Sequence, residues 1–158
     1  KMNNDTVRDL LVDMVGGRGA HVDFETAFAD FPKNLRGAKP AGTAHSAWEV
    51  LEHMRIAQSD ILEFSRDASH VSPEFPGGYW PESVSPPDDA AWTKSIDAFL
   101  AGRQAMQDLI ADSTTDLLDV FAHGTGQTVF KEAGVIAKHN AYHIGELLVL
   151  RRLLGEWG

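Results

Sequence analysis

Residues 135–154 read VIAKHNAYHIGELLVLRRLL, and this run combines a helical pattern with two histidines. His139 and His143 are four residues apart, so on a helix they lie on one face, one turn apart. Ile136 precedes the pair on the same face. The face continues after the pair with Leu147, Leu150 and Leu154. We therefore predict a helix whose two imidazoles point into the core, where each needs a hydrogen-bond partner or a metal ion.

The spacing of the pair does not by itself identify metal ligands. With seven His among 158 residues, chance gives roughly 0.3 pairs at this spacing. Two core histidines with hydrogen-bond partners are therefore an alternative to a metal site, and further residues have to decide between them.

Composition limits the classes of function. The net charge of −9 argues against nucleic acid as a partner, because phosphate binding needs clustered Lys and Arg. No apolar run approaches the roughly 20 residues that span a bilayer, so we expect no membrane partner and a cytoplasmic location. The chain has no Cys, so any metal must be held by His and carboxylates. The length fits a single domain over residues 1–158.

Apolar spacing predicts an all-α fold. Residues 24–31 form a short helix that Asp23 caps. The remaining helices are long and cover residues 4–15, 46–66, about 85–111 and about 128–153. In the third of the long helices, Ser85-Pro86 marks the start because Pro is favoured at the first helical position. The four long helices predict a four-helix bundle, and the long connections 32–45 and 67–87 predict crossovers rather than simple up-and-down neighbours.

A third histidine lies on the helix that covers residues 46–66. Ser46 and Glu49 form a capping box at its start. His53 lies on its inward stripe, which also holds Val50, Met54, Ala57, Ile61 and Phe64. Bundle cores build metal sites from side chains on facing helices. His53, His139 and His143 therefore predict a three-His site with open coordination positions, as in catalytic rather than structural metal centres.

Two carboxylates are candidate acid–base groups near this site. Glu49 precedes His53 by four residues, and Glu146 follows His143 by three. Each also has a purely structural interpretation, since Glu49 completes the capping box and Glu146 could be solvated or lie between subunits. Asn140 stands where the metalloprotease motif H-E-x-x-H has its general base, so peptide hydrolysis by that route is not predicted.

Tyr79 and Trp80 belong to the connection 67–87, which has five Pro and no regular periodicity. They are candidate substrate-binding residues at a pocket mouth, or they pack the crossover against the bundle. His21 and His45 are expected to be polar loop residues. His70 and His123 lie in connections and are expected to be exposed.

Two motifs resemble the DinB-like (damage-inducible) superfamily, which includes YfiT-like metal-dependent hydrolases and thiol-dependent S-transferases. They are WEVLEH at residues 48–53 and HNAYHIGEL at residues 139–147. The resemblance extends over nearly the whole chain. It implies a four-helix bundle that commonly dimerises, so a homodimer is expected, with zinc or nickel held by His53, His139 and His143.

The resemblance further implies a metal-dependent enzyme of the thiol S-transferase or hydrolase type. Its substrate would be a small molecule, with a low-molecular-weight thiol such as bacillithiol or mycothiol as cosubstrate. The lack of Cys is compatible with a thiol that the cosubstrate supplies. One alternative is a non-catalytic metal- or small-ligand-binding stress protein, favoured by the missing base and nucleophile. Another is a structural bundle whose histidines form hydrogen bonds in the core without converging.

Overall fold

Five α-helices form the part of the chain that the structure, a computed structural model, describes, which is residues 4–158. They are α1 Asn4–Gly16, α2 Phe24–Phe28, α3 Ala47–Arg66, α4 Asp89–Ala111 and α5 Val129–Leu153. No β-strand occurs among the described residues, so the all-α prediction is confirmed there. In the same part of the chain, no helix has the length and apolar character needed to cross a membrane.

Side-chain caps mark the starts of the helices, and the sequence predicts those of α2 and α3. At α3 the Ser46 hydroxyl accepts a hydrogen bond from the Glu49 backbone N–H at 3.2 Å. The Glu49 carboxylate accepts one from the Ser46 N–H at 2.7 Å, which completes the capping box. Asp23 caps α2, as predicted, and Thr128 caps α5. These contacts satisfy backbone donors that have no partner inside a helix.

Two predicted helix boundaries are wrong. The helix at residues 24–31 ends at Phe28, because Ala29 leaves the helical conformation (ψ 137°) and Asp30 has a positive φ of 50°. The helix expected from Ser85-Pro86 begins at Asp89, with Asp88 as its N-cap. Pro87 disfavours helical dihedrals at the residue before it, so the chain cannot become helical at residue 86.

The helices enclose two hydrophobic clusters. α1 and α3 each pack against both α4 and α5. The first cluster is rich in aromatic side chains from α2, α3 and α4, including Phe24, Phe28, Trp48, Trp92 and Phe99. The second joins α1, α3, α4 and α5 through aliphatic side chains such as Leu11, Leu62, Met106 and Ile136. The packing of α3 against α5 brings the inward faces of the two histidine-bearing helices together.

Candidate metal centre

The three predicted ligands converge between α3 and α5. His53 Nε2 lies 3.0 Å from His139 Nε2. The ring centroids of the three imidazoles are 4.5–4.9 Å apart. One donor atom from each of His53, His139 and His143 lies within 4.8 Å of the other two. The core histidines therefore converge, contrary to what a purely structural bundle would require.

Hydrogen bonds to the outer nitrogens orient two of the rings. His53 Nδ1 donates to the Tyr79 carbonyl oxygen at 2.8 Å, and His143 Nδ1 donates to Glu146 Oε2 at 2.8 Å. A neutral imidazole whose N–H is at Nδ1 has its lone pair at Nε2, the nitrogen that can then bind a metal ion. Metal-binding histidines commonly have this arrangement, with the second nitrogen held by a carbonyl or a carboxylate.

One pair of donor atoms already has the separation expected of two ligands to a single divalent ion. Two adjacent nitrogens bound to the same ion at about 2.0–2.1 Å are separated by about 2.8–3.4 Å in octahedral or tetrahedral geometry. The observed separation of the His53 and His139 Nε2 atoms is 3.0 Å. Imidazole nitrogen is a suitable ligand for zinc and nickel. These three residues could hold such an ion and leave further coordination positions to other ligands.

The electrostatic environment keeps the rings in the form that binds metals. Burial lowers the pKa of His53, and the neighbouring His143 and His45 lower it further. Burial also lowers the pKa of His139 to about 4, with smaller contributions from His143 and His53. Both rings are therefore neutral near neutral pH. A metal ion can then bind without first displacing the extra proton that a cationic imidazole carries.

Glu146 connects the cluster to a fourth histidine. Its Oε2 accepts from His143, and its Oε1 accepts from His45 Nδ1 at 2.9 Å. The His143 hydrogen bond is the main reason that the pKa of Glu146 lies below its usual value. The sequence interpretation of His45 as a polar loop residue missed this contact. His45 lies before the start of α3, so no helical spacing links it to His53.

Trp80 and Tyr79 pack directly against the cluster. The Trp80 ring lies between those of His53 and His45, with both centroids 3.9 Å away. The Tyr79 hydroxyl donates to Asp60 Oδ2 at 2.7 Å. Burial and the Asp60 carboxylate raise the pKa of Tyr79 to about 12. Tyr79 thus holds His53 through its backbone carbonyl, and Trp80 covers one face of that ring; substrate contact by either residue stays a prediction.

The remaining candidates have structural partners. Asn140 is buried and donates to Gln58 Oε1 at 3.0 Å, and Gln58 donates to the Phe99 carbonyl at 2.7 Å. The Glu49 carboxylate contacts Ser46 in the capping box and pairs with Lys39 at 3.3 Å. No contact links Glu49 to the three histidines, so its acid–base role stays a prediction.

The other three histidines lie outside the cluster. His21 and His123 are exposed, and His123 Nε2 donates to the carbonyl of Phe64 at 2.8 Å. His70 is half-buried rather than exposed, because its Nε2 contacts Asp60 Oδ1 at 2.8 Å.

Comparison with known proteins identifies a family. The family model described as the DinB superfamily matches residues 18–147, a span that contains all three convergent histidines and Glu146. No curated protein and no solved structure matches the chain.

Proposed function

Because the chain belongs to the DinB superfamily, we propose that it is a metal-dependent enzyme whose ion is held by His53, His139 and His143. The supporting observation is the convergence of three imidazoles, two of which have their Nδ1 atoms hydrogen-bonded to protein oxygens. Family membership also supports a four-helix bundle made of α1, α3, α4 and α5.

The proposed ion is zinc or nickel, and the proposed reaction is thiol S-transfer or hydrolysis of a small molecule. When bound, a divalent ion supplies Lewis acidity that activates a water or thiol ligand. Three protein ligands leave positions for a substrate, as catalytic sites require. A low-molecular-weight thiol would supply the sulfur that this Cys-free chain lacks.

The surrounding residues would position the ligands and limit access of water. Oxygen atoms of Tyr79 and Glu146 contact the Nδ1 atoms of His53 and His143 and so orient the two rings. Trp80 covers the His53 ring and excludes water from that face. Glu146 accepts two hydrogen bonds, and its lowered pKa keeps it ionised near neutral pH, so we propose that it acts as a positioning residue rather than as the acid.

Metal analysis tests the first step of this proposal. We expect purified protein to contain about one zinc or nickel ion per chain. The double variant His139→Ala/His143→Ala should lose it, because two of three ligands are gone. His21→Ala is the matched control, since this exposed histidine lies outside the cluster. Equal metal content in the double variant and the parent would refute the proposed site.

A thiol-conjugation assay with the metal-loaded protein tests the reaction. Turnover of an electrophile and a low-molecular-weight thiol above the rate with metal alone would support the S-transferase. Stoichiometric metal binding without turnover of thiol or hydrolysis substrates would instead favour a non-catalytic metal- or ligand-binding protein. Asn140 is the observation that keeps this second function open, because it bonds to Gln58 where a metalloprotease has its base.

We also propose that the protein is a homodimer that associates through the outer face of α5. Val135, Tyr142 and Val149 are exposed there at seven-residue intervals, by 41%, 72% and 53%. Apart from its chain neighbours and the nearby α5 backbone, no atom of the described residues lies within 4 Å of the position that a Cβ would take at Gly145, so this face has room for another helix. Val149→Asp should convert a dimer to monomers in light scattering without changing the metal content. A monomeric parent protein would refute the dimer and leave the metal site intact.

A further inference from the structure

A second group of polar residues lies on the same two helices, away from the histidines. Asp60 follows His53 by seven residues on α3, and Glu132 precedes His139 by seven on α5. Seven residues of helix correspond to about 10 Å along the axis. The two carboxylates line a cleft of about 150 Å³. Its other lining residues are Ile61, Phe64, Ser72 and Gln127.

Glu132 is the unusual member of this group. Only 9% of its surface is exposed, yet its carboxylate makes no hydrogen bond or ion pair with the residues that the structure describes. The adjacent Lys131 does not neutralise it directly, because the Lys131 ammonium donates to the Gly126 carbonyl at 2.5 Å. The carboxylate borders the cleft, so a donor on a small molecule in the cleft could bind it.

Asp60 adds a second negative charge to the cleft. Its Oδ1 contacts His70 Nε2 at 2.8 Å, and its Oδ2 accepts from the Tyr79 hydroxyl at 2.7 Å. These contacts fix the carboxylate in place. Burial raises the pKa of Glu132, and the charge of Asp60 raises it further. A positively charged group in the cleft would stabilise both carboxylates.

We propose that this cleft binds the protonated amino group of a small molecule, with Glu132 as its direct ionic partner and Asp60 as a second attractive charge. Hard metal ions take six or more oxygen ligands, whereas both oxygens of Asp60 already have partners. The Phe64 ring and the Ile61 side chain form apolar walls that suit the alkyl chain of an amine. The Phe64 ring can also attract the ammonium group by a cation–π interaction. The cleft volume limits the ligand to a small amine.

Titration with n-butylammonium chloride near neutral pH, followed by calorimetry, tests the proposal. We expect saturable binding at one site, and binding of uncharged 1-butanol that is at least about tenfold weaker. Glu132→Gln should weaken n-butylammonium binding at least about tenfold, because the amide keeps the shape and removes the charge. Glu74→Gln, at an exposed loop position, is the matched control and should bind as the parent does.

Circular dichroism of each variant confirms folding, and the metal content of each sample shows that the histidine cluster is unchanged. Equal n-butylammonium affinity in Glu132→Gln and the parent would overturn the proposal. So would the absence of binding to the parent. Saturable Mg²⁺ binding that Glu132→Gln abolishes, without any binding of n-butylammonium, would also overturn it and would identify a hard-cation site instead.

Discussion

Glu146→Gln tests how the three-His cluster is held for metal binding. In the native protein the two carboxylate oxygens accept from His143 and from His45, at 2.8 and 2.9 Å. A glutamine has one carbonyl oxygen and one NH₂ group, so it can accept from only one of these N–H groups. The other histidine would face a donor and would have to turn or change its tautomer.

The expected loss follows from this rearrangement. Removing a residue that orients a metal ligand typically weakens metal binding by about 10- to 100-fold, or about 1.4–2.7 kcal/mol. Glu146 is 28% exposed at its side chain, so water can replace part of the lost interaction and favours the lower end of this range. His45→Ala leaves the His143–Glu146 hydrogen bond intact, so we expect less than about a threefold change.

Competition with a chromophoric zinc chelator near neutral pH measures these differences. We expect Glu146→Gln to bind zinc more weakly than His45→Ala does, and His45→Ala to bind it almost as tightly as the parent. His143→Ala provides the reference for loss of a ligand. If Glu146→Gln bound zinc as tightly as the parent while His143→Ala lost binding, the proposed positioning role of Glu146 would be refuted.

Three further predictions concern the free energy of unfolding, measured by urea denaturation. Met54→Ala should lower it by about 2–5 kcal/mol because Met54 is fully buried, whereas Met14→Ala, at a 51% exposed position, should change it by less than about 0.5 kcal/mol. Ser46→Ala should lower it by about 1–2 kcal/mol, since the hydroxyl caps α3 and also donates to the Val84 carbonyl at 2.6 Å. The pKa of Glu132 is raised by burial, so the folded state binds this proton more tightly than the unfolded state. Its contribution to stability is therefore present below the ordinary pKa and is lost as the pH rises through the folded pKa, so the stability of Glu132→Gln relative to the parent should increase with pH across that window.

Each of these expectations has a result that contradicts it. Equal losses for the two methionine variants would mean that burial does not determine their contributions. A Ser46→Ala variant as stable as the parent would show that the cap at α3 is dispensable. A difference between Glu132→Gln and the parent that does not change with pH would mean that Glu132 titrates alike in both states.

The extent to which sequence predicts this fold differs between helices and loops. The α3 helix was predictable because the Ser46–Glu49 capping box fixes its start and the apolar stripe fixes its inward face. Val50, Met54 and Ala57 from that stripe are buried, as predicted. The start of α4 was not predictable from the sequence. Pro86 and Pro87 follow one another, and each favours a different residue as the first of the helix, so the local dihedral restrictions decide.

The candidate site shows the same division. The sequence alone placed His139 and His143 on one helix face and His53 on the inward stripe of another, since the 3.6-residue period determines which side chains share a face. It could not place His45 beside Glu146, because 101 residues separate them and neither belongs to a pattern shared with the other. Nor could it place Trp80 between two imidazole rings, since its loop has no periodicity that fixes a direction.

The sequence by itself thus determined which segments are helical, and it placed the three histidines on inward faces, because both depend on local caps and spacing; two helix boundaries it did not determine. Only the tertiary structure decided that the three rings meet, that Tyr79 and Glu146 contact the Nδ1 atoms of two of them, and that Glu132 is buried without a hydrogen-bond partner among the described residues. These features depend on how α3, α5 and the loops between them pack, and packing depends on contacts between residues far apart in the chain.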